Sequence, residues 1–146
     1  MRYKLVRIPF DQYIIRFLEK EYPHKDGILI LKKNILRPCN RNGVDYKAFF
    51  KQKHLNKVWL PVLTQDSKLY KLYYFKNQVE HDFNAKMEAY IHVRLGLYSV
   101  AESIRLFMEE YRITASEYSH ATGYKRWQRS IIYQNIQQKR YSNARN

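Results

Sequence analysis

The sequence predicts an α+β protein: a small N-terminal mixed sheet with a helix, followed by a helical C-terminal half with a helix-turn-helix-like unit. Three observations carry this. Strand-like apolar runs, "YKLVRI" at 3–8, "GILILKK" at 27–33 and "KVWLPVL" at 57–63, are confined to the first half. From Asn77 the apolar period changes to 3.6. Near the C-terminus a Thr-Gly pair interrupts the helical pattern just before a segment dense in Lys, Arg and aromatics.

In chain order, residues 3–8 alternate in period two, and Pro9, which lacks an N–H, is expected to end that strand. "FDQYIIRFLEKEY" places Phe10, Tyr13 or Ile14, Phe17 and Leu18 at helical spacing. Asp11 stands early, where it suits the helix dipole, and Pro23 closes the helix. "RPCNRNGVD", 37–45, is a loop with an Asn-Gly turn signal. "DYKAFFKQKHLNK", 45–57, fits a short helix or an irregular loop. Pro61 points the 57–63 strand to a sheet edge. After the turn "TQDS", "KLYKLYYF" at 68–75 is its expected hairpin partner, rich in β-favouring aromatics.

Val79, Phe83, Met87, Tyr90, Ile91 and Leu95 then form one helical stripe, stopped near Gly96. Ser99 with Glu102 three residues on makes a capping box for a helix burying Val100, Ile104, Phe107, Met108 and Tyr111. The organisation expected is an α+β region at 1–76, a helical region at 77–136 and a basic tail at 137–146, together forming one domain.

The segment "YRITASEYSHATGYKRWQRSII", 111–132, carries the functional signal. Thr114 with Glu117 suggests a short helix from Ala115 to Ala121. Thr122-Gly123 would make the turn, since glycine tolerates a left-handed corner. A longer helix from Tyr124 would bury Tyr124, Trp127 and Ile131 as anchors and expose Lys125, Arg126, Gln128, Arg129 and Ser130. Arg pairs with guanine edges and Gln with adenine edges in the major groove, while Lys and Arg also hold phosphates. Lys139 and Arg140 in the tail would add phosphate contacts. A solvated basic face and a protein-docking helix are the bland alternatives.

Charge supports a polyanion partner. The chain carries 27 Lys and Arg against 13 Asp and Glu, a net +14. Such a balance brings self-repulsion that an anionic partner relieves. It is also segregated: residues 77–114 sum to −2, and residues 115–146 to +5. A second basic-aromatic region pairs "YKAFFKQKH", 46–54, with "KLYKLYYFK", 68–76. Exposed aromatic strands could stack single-stranded DNA or RNA. Core packing is the competing explanation, with the lysines protecting strand edges.

Enzymatic signals are weak. Neither a Walker loop nor a GxGxxG fingerprint occurs, and His24, His54, His81, His92 and His120 are scattered without a His-x-x-x-His metal pair. Glu80, His81 and Asp82 are adjacent, but neighbouring helical side chains diverge by about 100°. Any of the 14 tyrosines acting as a nucleophile would need clustered Arg and His about it. With one cysteine, Cys39, an internal disulfide framework and Cys-based zinc sites are excluded. Met1–Phe10 lacks a signal-peptide apolar run, and no stretch reaches the roughly 18 apolar residues of a membrane span. The expectation is a cytoplasmic, non-enzymatic protein without cofactor, metal, membrane contact or small-molecule substrate.

"RIPFDQYIIRFLEKEYP", "WLPV…YYF", "VEHDFNAKMEAYIHV" and "FMEEYRITASEY…YKRWQR", in that order, resemble small uncharacterised helix-turn-helix-like proteins of phages and conjugative elements of Bacteroides-type bacteria. The resemblance implies a regulatory or accessory role on a mobile element and suits binding to double-stranded DNA. It supplies no catalytic or base-contacting residues. A palindromic target would require a homodimer, and no heptad seam is visible to provide one. An RNA or single-strand binder and a protein–protein adaptor with a basic docking surface are the alternatives.

Overall fold

The computed structural model describes residues 2–39 and 44–145, with side chains to Tyr141; the Asn42-Gly43 turn signal lies outside the described residues. Four strands, β1 (Lys4–Phe10), β2 (His24–Lys25), β3 (Ile28–Leu31) and β4 (Val58–Thr64), form one sheet in the order β1-β4-β3-β2. β1 runs antiparallel to β4, β4 parallel to β3, and β3 antiparallel to β2. The described residues also form the α-helices α1 (Gln12–Glu21), α2 (Tyr46–Lys51), α3 (Leu69–Arg94), α4 (Val100–Glu110), α5 (His120–Gln128) and α6 (Ile131–Arg145), with a short 3-10 turn at Lys33–Ile35. The fold is α+β, with the sheet N-terminal and the C-terminal half helical.

The chain divides within α3 into two compact units, residues 1–82 and 83–146. The first is built on the sheet. Ile8 and Phe10 of β1, Leu29 and Leu31 of β3 and Val62 of β4 alternate into its core. Ile14, Ile15, Phe17 and Leu18 of α1 join them, as do Leu72, Phe75 and Val79 of α3. Each such buried side chain stabilises the unit by about 1.5–3 kcal/mol. Phe75 stands edge-on to Phe10 at 6.4 Å and to Tyr22 at 5.8 Å. The Tyr22 hydroxyl donates to Asp82 Oδ2 at 2.9 Å, and Arg37 Nη2 reaches Asp82 Oδ1 at 2.6 Å.

Three strand expectations are corrected. β1 continues through Pro9 to Phe10, because an edge strand needs no ladder donor on its open side. β4 is central rather than an edge. Its register with β3 spans only Val62 to Thr64, so Pro61 stands where β1 alone is paired. Residues 69–75 are helical, not a hairpin strand. Leu72, Phe75 and Val79 bury at spacings of three and four, and this helical stripe outweighs the β-propensity of the intervening tyrosines. The turn before them is tied as a helix entry: Thr64 Oγ1 accepts from Asp66 N, and Asp66 Oδ1 accepts from Lys68 N, both at 3.2 Å.

In the second unit Phe83, Met87 and Ile91 of α3 pack with Ile104, Phe107 and Met108 of α4, all buried. Phe107 meets Phe83 and Tyr90 at 5.5 Å and Tyr111 at 4.9 Å. Gly96, at φ +88°, takes the left-handed stop after α3. Ser99 caps α4 as its spacing predicts, its hydroxyl accepting from Glu102 N at 3.1 Å.

Candidate nucleic-acid interface

In the segment expected to hold a helix-turn-helix-like unit, α4 and α5 are joined by the connection 111–119. The expected helix at 115–121 is replaced by a single turn, in which Glu117 N and Tyr118 N both bond Thr114 O. Tyr118 then swings into the core, its ring 5.4 Å from Phe83, and Ser119 is extended at φ −77° and ψ 149°. Ser119, not Thr114, is the effective cap: its hydroxyl accepts from Thr122 N at 3.1 Å. α5 therefore runs straight through Thr122-Gly123. Gly123 is a packing glycine, not a turn glycine. A Cβ there would lie 3.1 Å from Ile104 Cγ2 and 3.3 Å from Tyr118 Cε1. The turn comes later, at Ser130, which is buried rather than exposed. Its hydroxyl donates to Trp127 O at 2.7 Å and accepts from Tyr133 N at 3.2 Å, closing α5 and opening α6.

This phase decides which side chains face outward. Only Gly123 and Trp127 of α5 are buried. At about 100° per residue, Gln128, Lys125, Arg129 and Arg126 fall on one arc of roughly 160°, centred opposite the Gly123–Trp127 seam. All four are exposed. Trp127 is an anchor, 1% exposed, with Tyr133 of α6 at 5.9 Å. Tyr124 and Ile131 are not: they are 45% and 77% exposed. Tyr124 lies about 100° around the helix from Gly123, and Ile131 begins α6 beyond the Ser130 corner. The tail is not a separate arm, since 137–145 continues α6, with Lys139 and Arg140 exposed on it.

The cations of this surface stand apart from carboxylates. Among the described residues, Lys125, Arg126, Arg129, Lys139 and Arg140 form no ion pair. On α4, by contrast, Arg105 donates to Glu102 and reaches Glu109 Oε1 at 2.6 Å. Its hydrogen bond holds the Glu102 carboxyl below the usual range. Glu102 and Glu109 are thus paired within α4, whereas the five cations on α5 and α6 are not paired among the described residues. Burial pushes the Tyr118 hydroxyl up, and the Arg126 charge offsets only part of that rise.

His120, Ala121 and Thr122 are exposed residues of α5 that the sequence assigned to an earlier helix and turn. Ser119-x-x-Thr122, a second cap signal nine residues after Glu110, could have found them. The other basic-aromatic region forms α2 and the start of α3, so it offers no strand platform. Its rings pack together: Tyr73 lies 5.3 Å from Tyr46 and 5.0 Å from Phe49. Among the described residues no three His, Cys, Asp or Glu side chains are placed to hold a metal ion, and no helix is long and apolar enough to cross a membrane. No family model matches the chain, and no curated protein or solved structure matches it.

Proposed function

We propose that the protein is a non-enzymatic, cytoplasmic DNA-binding protein that presents α5 to the major groove of duplex DNA. One observation carries this: Lys125, Arg126, Gln128 and Arg129 share one exposed arc of a helix anchored from behind by Trp127, and the three cations on it have no carboxylate partner among the described residues. Unneutralised cations on one face lose self-repulsion when they displace counterions from phosphates. Gln128 and Arg129 have the donors for base edges, Lys125 and Arg126 for phosphates. Lys139 and Arg140 of α6 add backbone contacts. The resemblance to proteins of phages and mobile elements gives the binding a regulatory or accessory setting.

The test is fluorescence anisotropy with random-sequence duplexes over a salt series. Affinity should fall steeply as salt rises. The absence of duplex binding at low salt would end the proposal. Arg129→Ala then separates its two roles. Loss of roughly 1–3 kcal/mol on the preferred sequences selected from those duplexes, with relaxed specificity, marks base contact; uniform weakening marks phosphate contact.

A further inference from the structure

The second basic-aromatic region leaves a feature that duplex binding by α5 does not use. α2 and α3 bring "YKAFFKQKH" and "KLYKLYYFK" side by side, and their N-terminal ends bound an open cleft of about 500 Å³. Lys47, Lys68 and Tyr70 line it, with Asp45 and Tyr46. The volume lies within the roughly 300–1,000 Å³ of small-molecule sites. Lys47 and Lys68 are exposed, and neither pairs with a carboxylate among the described residues. Asp45 is committed in part to α2, its Oδ1 accepting from Ala48 N at 3.0 Å.

The ring arrangement sorts packing from exposure. Tyr46 is buried and stands 6.2 Å from the Tyr70 ring, fixing it in place. Tyr70 itself is half-buried, and Lys71 Nζ lies 5.7 Å from its centroid. A half-exposed aromatic ring flanked by unpaired lysines in a concave site is the chemistry of base stacking with phosphate neutralisation. A duplex hides its base faces, so the partner that fits is unpaired. The surrounding charge agrees: residues 1–82 hold 17 Lys and Arg against 8 Asp and Glu, more net positive charge than residues 83–146.

We propose that this cleft binds an unpaired nucleotide, its base against Tyr70 and its phosphate between Lys47 and Lys68, independently of α5. The full chain is titrated against a labelled 12-nucleotide single strand, as DNA and as RNA, and against a duplex. Lys47→Glu/Lys68→Glu is tested beside Lys125→Ala/Arg126→Ala/Arg129→Ala, with AMP as competitor. The cleft variant should weaken single-strand binding at least tenfold and leave the duplex affinity unchanged. Displacement by AMP would assign the cleft to a free nucleotide, and displacement by oligonucleotide alone to a strand; both uphold it. Unchanged circular dichroism and unfolding midpoint, expected for two exposed lysines, exclude misfolding. No single-strand binding at low salt, an unaltered affinity in the cleft variant, or equal weakening on duplex and single strand would overturn the proposal.

Discussion

Gly123→Ala tests the phase of α5, on which the exposed arc depends. Two effects oppose each other. Alanine replaces glycine inside a helix, which by propensity alone stabilises by about 0.8–1 kcal/mol. The added methyl would sit 3.1 Å from Ile104 Cγ2 and 3.3 Å from Tyr118 Cε1. Neither neighbour yields easily. Ile104 is β-branched and fully buried, and Tyr118 is wedged against Phe83. Overpacking of this kind costs roughly 1–3 kcal/mol. The net expectation is a loss of about 1 kcal/mol, read as a lower urea midpoint at unchanged m. A gain of about 1 kcal/mol would mean that α5 does not approach α4 closely at Gly123. The outward placement of Lys125 and Arg129 would then lose its basis.

Ser119→Ala should cost about 1 kcal/mol, since it removes the cap of α5, whereas Thr114→Ala should cost less than half of that; equal losses in urea unfolding would restore Thr114 as a helix start. Tyr22 gives a pH test. Burial, with the hydrogen bond to Asp82, raises its hydroxyl from 10.0 to about 12. The folded state therefore favours the protonated phenol, a contribution complete below pH 10 and lost as pH rises from 10 to 12. Unfolding free energies measured across that window should fall less in Tyr22→Phe than in the native chain, and an identical fall would contradict the assignment.

Much of the fold was legible because periodicity reports burial directly. α1, β3, β4 and the Ser99 cap follow from spacing alone. The hairpin of β2 and β3 was legible too but unread: Asp26 and Gly27, at φ 54° and 77°, make the two-residue turn that Asp-Gly favours. The start of α3 failed for a physical reason. Tyr70, Tyr73 and Tyr74 favour strands locally, and only the packing of Leu72, Phe75 and Val79 decides for helix. At the candidate site, the basic residues were found and the helix frame was not. A glycine after threonine suggests a corner, but Gly123 exists for close approach to Ile104. With the start of α5 misplaced, Tyr124 and Ile131 were assigned inward and Ser130 outward, while Trp127 held.

The central claim is that the exposed cations of α5 engage phosphates of duplex DNA. The slope of log affinity against log salt, compared between the native chain and Lys125→Ala/Arg126→Ala/Arg129→Ala, measures it most directly. Each phosphate contact contributes about −0.9 to that slope. The slope should be shallower by roughly 2–3 in the triple variant, with weaker binding on every duplex. An unchanged slope would contradict it and place the phosphate contacts elsewhere on the chain.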